Sequence, residues 1–198
     1  MAVAFVSATP YTYSDTKQVH TWSHTVADGA DRLLLVAVQC RGDDRVYTVT
    51  YGTQALHPIT GEYPGSTNKP TVELWGLIAP AVGTADVTVT LMAAGTNYVC
   101  AAALSYTGVD QASPIGAGAT ANAASGTTCA CNLTTLASAS VVVGAKGGHG
   151  GDTYPHTPGE GVTERVDVRS GTSSLSDGGF CVAEMAAPSI DTYGWSVE

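Results

Sequence analysis

The side chains best suited to chemistry gather in one glycine-rich stretch, Gly147-Gly-His-Gly-Gly-Asp-Thr-Tyr-Pro-His-Thr-Pro-Gly-Glu-Gly161. There His149, Asp152 and His156 could bring two imidazoles and a carboxylate round a divalent metal. Spacings of three and four would align them on a helix, but the glycines and prolines forbid one. Convergence then depends wholly on how a loop folds, and solvated loop residues are the favoured reading. Elsewhere the chemistry is thinner. Asp28-Gly-Ala-Asp31 and Arg41-Gly-Asp-Asp44 collect carboxylates in turns, where Asp bonds its own backbone, and neither has the ordered ligand spacing of a calcium loop. Glu160 and Glu164 would make an acid–base pair only if the fold turned them toward each other, which their spacing does not require. No nucleophile elbow, phosphate loop or zinc-protease helix occurs. The expectation is a protein that is not an enzyme, with no catalytic residue, no bound metal and no cofactor.

Aromatic residues offer the other route to function. Tyr11 and Tyr13 alternate beside Pro10, and Tyr63 and Tyr154 fall in two polar, Gly/Pro-punctuated loops, 60–70 and 147–161. With His156 they are the candidate partner-binding residues, since such loops are the least constrained surfaces of a domain. Packing beneath the loops accounts for the tyrosines equally well. Cys40 and Cys100 lie in apolar runs that suit small buried thiols. Cys129 and Cys131, two apart on a strand, share a face at about 7 Å, too far for an easy direct bridge. Reduced thiols are the favoured reading for them and Cys181, followed by a disulfide and then a metal. Asn132-Leu-Thr134 matches a glycosylation acceptor, a pattern common by chance.

The elements that must position these residues read as strands: 2–8, 17–26, 32–40, 45–51, 71–78, 85–92, 97–106, 128–134, 139–146, 162–169, 179–185 and 192–197. Arg32-Leu-Leu-Leu-Val-Ala-Val-Gln-Cys40 and Cys100-Ala-Ala-Ala-Leu-Ser-Tyr106 are too short to cross a membrane as helices and are bounded by turn residues, so they read as buried strands. In Asp86-Val-Thr-Val-Thr-Leu91 apolar residues alternate with threonines, giving one face on a core and one in water. Strand 71–78 suits cover on both faces, with Trp75 as a core anchor. Leu33, Leu35, Leu74, Val87, Val89, Leu104, Val141 and Val143 are expected inside. The stretch Gly116 to Thr127 is nearly all Gly, Ala, Ser and Thr, too poor in side chain to build a core, and reads as an extended connection. The fold class expected is all-β: one antiparallel, jelly-roll-like β-sandwich domain over 1–198, with about a dozen strands.

Composition sets limits on partners. Among 198 residues only eight are Lys or Arg, the net charge is −9, and no basic cluster occurs, which leaves little to neutralise phosphates, so no nucleic acid is expected. No window approaches the roughly 18–20 apolar residues of a spanning helix, so no membrane is expected either. The opening Met-Ala-Val-Ala-Phe-Val lacks a basic flank and reads as a strand rather than a signal segment, consistent with synthesis in a cytoplasm.

The order of segments resembles a β-sandwich domain recurrent in tailed-phage virion proteins and some bacterial surface proteins. The resemblance rests on Val3-Ala-Phe-Val-Ser-Ala8, Asp31-Arg-Leu-Leu-Leu-Val-Ala-Val38 and Val49-Thr-Tyr-Gly-Thr-Gln-Ala-Leu56. It continues through Val72-Glu-Leu-Trp-Gly-Leu-Ile-Ala-Pro80, Gly83-Thr-Ala-Asp-Val-Thr-Val89 and Ala103-Leu-Ser-Tyr-Thr-Gly-Val-Asp-Gln-Ala-Ser-Pro114. It implies a sandwich and transfers no catalytic residue. The function it implies is that of a structural virion protein, a capsid decoration or cement protein bound to the major capsid protein or other virion proteins. Such a protein would act as a symmetric homo-oligomer such as a trimer, located in the virion after synthesis in the host cytoplasm. The alternative is a carbohydrate-binding or adhesion module with a glycan ligand; a hydrolase built on the glycine-rich loop is the third. Domains of this type close with a further strand after the segment matching Tyr193-Gly-Trp-Ser-Val197. Either the sandwich lacks that strand or an edge awaits another chain, with Ala2 to Ala8 and Thr192 to Val197 as the segments that would supply or receive it. Removing residues 1–9 should then weaken the particle more than the isolated fold.

Overall fold

The computed structural model describes residues 2–13, 17–41, 44–65, 69–93, 98–122, 128–148, 154–170 and 178–198. Fourteen strands are assigned and, among the described residues, no helix: β1 (Ala4–Tyr13), β2 (Val19–Val26), β3 (Leu33–Arg41), β4 (Val46–Tyr51), β5 (Gln54–Ala55), β6 (His57–Glu62), β7 (Pro70–Ile78), β8 (Gly83–Leu91), β9 (Val99–Thr107), β10 (Cys129–Thr134), β11 (Ser140–Gly147), β12 (Thr163–Arg169), β13 (Gly179–Ala187) and β14 (Thr192–Val197). They form four sheets. A five-stranded sheet has the order β1-β9-β3-β7-β6, a four-stranded sheet β2-β8-β4-β5, a three-stranded sheet β11-β13-β12 and a ribbon β10-β14, with all pairings between these strands antiparallel.

The all-β sandwich is present, and two further layers are stacked on it. The four-stranded sheet packs on one face of the five-stranded sheet through Trp22, Val26, Val36, Val38, Trp75, Val87 and Val89. The opposite face of the five-stranded sheet packs on the three-stranded sheet through Leu33, Leu35, Leu104, Tyr106, Val166, Phe180 and Val182. Outside that, Val142, Cys181, Ala183 and Val197 join the three-stranded sheet to the ribbon. This explains why β3 and β9 read as unbroken apolar runs. Both are covered on two faces, so Leu34, Val36 and Val38 enter one core while Leu33, Leu35 and Ala37 enter the next. The four-stranded sheet keeps one wet face, and β2 alternates accordingly, with His20, Trp22, His24 and Val26 inward and Thr21, Ser23 and Thr25 outward. Hydroxyls on that wet face bond across strands, Thr25 to Thr84 at 2.7 Å and Thr21 to Thr88 at 3.3 Å.

Of the expected interior residues, Leu33, Leu35, Val87, Val89 and Leu104 are buried, though in two different cores. Leu74 and Val143 are half-buried against the second of these cores, and Val141 is half-buried while its neighbour Val142 is the one enclosed. The short β5 and β6 are not among the expected strands, and β6 takes in the first residues of the expected loop 60–70; it accommodates Pro58 as an edge strand with a register shift between Pro58 and Thr60. Pro10 likewise sits inside β1, which is the other edge of the same sheet and runs on to Tyr13.

Of the expected open edge at Thr192 to Val197, the C-terminal end is covered on the side away from β10. β14 pairs with β10 on one side, and on the other Pro158 bridges Val197, Thr157 exchanges two backbone hydrogen bonds with Glu198 at 2.8 and 2.9 Å, and Gly159 N donates to Ser196 O. Ala4 to Tyr13 pairs along its length with β9, so removing residues 1–9 strips an internal pairing and should lower the melting temperature of the isolated protein.

Candidate functional site

The sequence candidates fall at separate places. His156 is buried under the loop that precedes β12, where its Nδ1 lies 2.6 Å from Asp167 Oδ1 and its backbone N–H donates to Asp167 Oδ2 at 2.9 Å. The strand register puts Lys146, Cys181 and Asp167 in a row across β11, β13 and β12, on the face toward the ribbon. A carboxylate that bonds an imidazole and lies across the strand register from a thiol resembles part of a nucleophilic machinery, but the environment opposes it. Cys181 is fully enclosed, and burial, followed by the negative charges of Asp167 and Glu164, pushes its thiol up to about 12. A nucleophilic cysteine needs the opposite shift. His149 and Asp152, the other members of the expected metal trio, lie outside the described residues, as do Gly42 and Asp43. Among the described residues no three His, Cys, Asp or Glu side chains form a metal cluster.

The tyrosines do not converge either. Tyr11 stacks on Trp22 at 4.9 Å and on Tyr13 at 6.4 Å, and its hydroxyl is 3.3 Å from His20 Nδ1. Lys17 covers the Tyr13 ring at 5.3 Å. Tyr63 follows β6, the opposite edge of the five-stranded sheet, under Arg45 at 4.4 Å. Tyr154 meets His156 edge-on at 6.1 Å, with Arg169 over its ring at 5.9 Å. These rings are partly committed to neighbours, and the five residues occupy three regions.

All five cysteines are reduced. Burial raises the thiol of Cys100 to about 12, and Cys40 also lies well above the ordinary value, first through burial and then through Glu73. Cys129 and Cys131 are partly exposed. A disulfide-exchange reagent at pH 8 should therefore label Cys129 and Cys131 in the folded protein at least a hundredfold faster than Cys40, Cys100 and Cys181, with all five labelled in denaturant. Equal rates at all five would contradict the burial.

Buried polar groups missed by sequence reading join the layers. His24 on β2 reaches the five-stranded sheet, with its ring nitrogens 2.8 Å from Thr9 Oγ1 and 2.7 Å from Ser105 Oγ. The Glu73 carboxylate accepts Val46 N–H at 2.8 Å and Trp75 Nε1–H at 3.1 Å. Glu184 accepts Tyr106 O–H at 2.7 Å and Arg165 Nη2–H at 2.5 Å, and that guanidinium lies 4.0 Å from the centre of the Phe5 ring. The periodic signals were visible, as in His20 and His24 two positions either side of Trp22, but not the partners.

Burial lowers the imidazoles of His20 and His24 below the usual histidine range. The unfolded chain takes up protons at these sites near pH 6.5 while the folded chain resists, so stability is lost as pH falls below about 6.5. Glu73 runs the other way: burial raises its carboxyl, and its contribution is complete at low pH and lost as pH rises through the raised value. The melting temperature should drop between pH 7 and pH 5, and the drop should be smaller in His24→Gln. An equal drop would assign the effect elsewhere.

A cleft of about 1170 Å³ lies between the five-stranded and three-stranded sheets. One wall is the β6–β7 face, with Ile59, Val72 and Leu74; the other is the length of β11, and Leu133 and Leu136 stand beyond. Ile115 to Asn122 runs over it, held by Lys69 Nζ donating to Asn122 Oδ1 at 3.2 Å, with Gly118 close to Thr60. Because this strap is made of small residues, it cannot fill the space beneath it, unlike a close-packed interior.

Fold and cleft together define the class, an all-β protein of stacked antiparallel sheets. No family model, curated protein or solved structure matches the chain.

Proposed function

We propose that the chain is a structural virion protein, a decoration or cement component that binds and stabilises the coat lattice of a tailed phage. The observation that carries this reading is the use made of buried ionisable groups. Glu73, Glu184 and Asp167 are each held by hydrogen bonds to neighbouring strands or loops, and His24 is held between two hydroxyls. That arrangement stiffens a layered block, whereas catalysis requires such groups to face a substrate. The resemblance in segment order supports the same assignment. In this reading the partner is the major capsid protein or another virion protein, the chain works as a symmetric oligomer such as a trimer, and many modest contacts on a lattice add through effective concentration. The test is to assemble particles with and without the protein and measure occupancy and survival on heating. Stoichiometric binding with raised heat resistance is expected; glycan binding without particle association would replace this reading with the adhesion one.

A further inference from the structure

We propose that the cleft takes an extended peptide segment of a partner chain, added as a fourth strand to the three-stranded sheet along β11. The proposal stands whether or not the partner belongs to a virion. It begins from a mismatch between layers. The five-stranded sheet presents β1, β9, β3, β7 and β6, but among the described residues the sheet stacked on it has only β12, β13 and β11. β11 itself meets β7, with Gly147 against Val72, so the next position beyond β11 lies over the outer side of β7 and over β6, where Ile59, Val72 and Leu74 are only half-buried. That position is the cleft.

Three observations select the occupant. First, β11 is bonded to β13 on one side, and among the described residues the sheet order places no strand on its other side along Ser140 to Ala145. In a strand, alternate residues direct their N–H and C=O groups to each edge, so this stretch presents directional donors and acceptors to the cleft. A hydrocarbon chain could fill the space but could not satisfy them; a peptide backbone does both. Second, β11 lines the cleft throughout its eight residues, a length of roughly 26 Å. The volume also exceeds the roughly 300–1,000 Å³ of ordinary small-molecule pockets. An extended segment fits such a slot better than a compact ligand. Third, the walls match the two faces of a strand. Val143 and Ala145 of β11 turn toward the five-stranded sheet and Val142 toward the ribbon. A strand continuing this layer would set alternate side chains against Ile59, Val72 and Leu74 on one side and Leu133 on the other. Enclosing about eight residues would bury an area on the order of the roughly 800 Å² per partner found in stable interfaces.

The strap over the cleft does not take this place itself. Among the described residues no backbone–backbone hydrogen bond joins 113–122 to either wall, and Gly116 to Thr120 are exposed. The strap instead closes the slot on its outer side.

The test uses the full chain and a capped eight-residue peptide alternating threonine with valine or alanine and ending in lysine. Two N-methylated copies are added, one methylated at odd and one at even residues, together with laurate as the hydrocarbon probe. Binding is read by calorimetry and by amide exchange at Val141, Val143 and Ala145. The parent peptide should bind and slow exchange at least tenfold on alternate residues of β11. One methylated copy should lose at least tenfold in affinity and the other should retain it, because only one register faces β11. Val143→Lys should weaken binding while leaving the far-ultraviolet spectrum unchanged, and Leu74→Gln serves the same purpose from the opposite wall if the first variant misfolds. Equal binding of both methylated copies, absence of peptide binding, or laurate binding in its place overturns the proposal.

Discussion

Truncating Phe180 to alanine is expected to destabilise the protein by roughly 3–5 kcal/mol, the range for removing a large aromatic side chain from a packed core. Phe180 is fully buried on β13, the central strand of its sheet, and belongs to the core that joins the three-stranded and five-stranded sheets. The cavity it leaves would be lined by neighbours on separate layers, which cannot all move inward together. Urea unfolding followed by tryptophan fluorescence should show the midpoint fall with little change in slope. Val82→Ala, half-exposed, should shift it by less than about 0.5 kcal/mol. A loss below about 1 kcal/mol at Phe180 would mean that the layers are not joined through this core.

The second large effect concerns charge. Replacing Glu184 with alanine should cost about 3 kcal/mol, near the low end for breaking a buried pair, because the Arg165 side chain keeps 28% of its exposure. The loss comes less from the missing attraction than from what remains: the Tyr106 hydroxyl enclosed between sheets and a guanidinium already carrying a buried, unpartnered Nε. Burial, strengthened by Glu184, also raises the Tyr106 phenol far above its ordinary range, so ionisation cannot relieve it. Combining Arg165→Met and Glu184→Leu, which removes both charges while keeping bulk, should recover much of the loss. If the double variant were as unstable as Glu184→Ala, shape rather than charge would account for the cost.

The sequence made the strands legible and the layers illegible, for a physical reason. An apolar run such as Leu33 to Val38 reports that both faces are covered, but not by what, since either neighbour is equally apolar. Alternation in β8 reported a wet face correctly, because water is the one neighbour that imposes polarity. β6 escaped notice because Pro58 is penalised only where its missing N–H would be needed, and whether a strand is an edge is a property of the assembled sheet. The His156–Asp167 pair was out of reach for a similar reason. Nothing local marks Asp167 between Val166 and Val168, and only the docking of the preceding loop makes it a partner. The cleft leaves a faint trace in the sequence, the small-residue composition of Gly116 to Thr127, which signals a connection but not the space beside it.

The order of the layers along the chain bears on how the molecule comes into being. All the buried residues of the first core lie between Trp22 and Ala103, whereas the second also requires Val166, Phe180 and Val182. During synthesis the first two sheets can therefore assemble while Leu33, Leu35, Leu104 and Tyr106 still face water, awaiting a cover some sixty residues further on. At roughly 5–20 residues per second that face stays bare for several seconds. For that interval the nascent sandwich is a sticky half-product, and two such halves on neighbouring ribosomes offer each other the same apolar surface. The C-terminal layers thus supply, late in synthesis, the apolar cover that the N-terminal sheets lack until then.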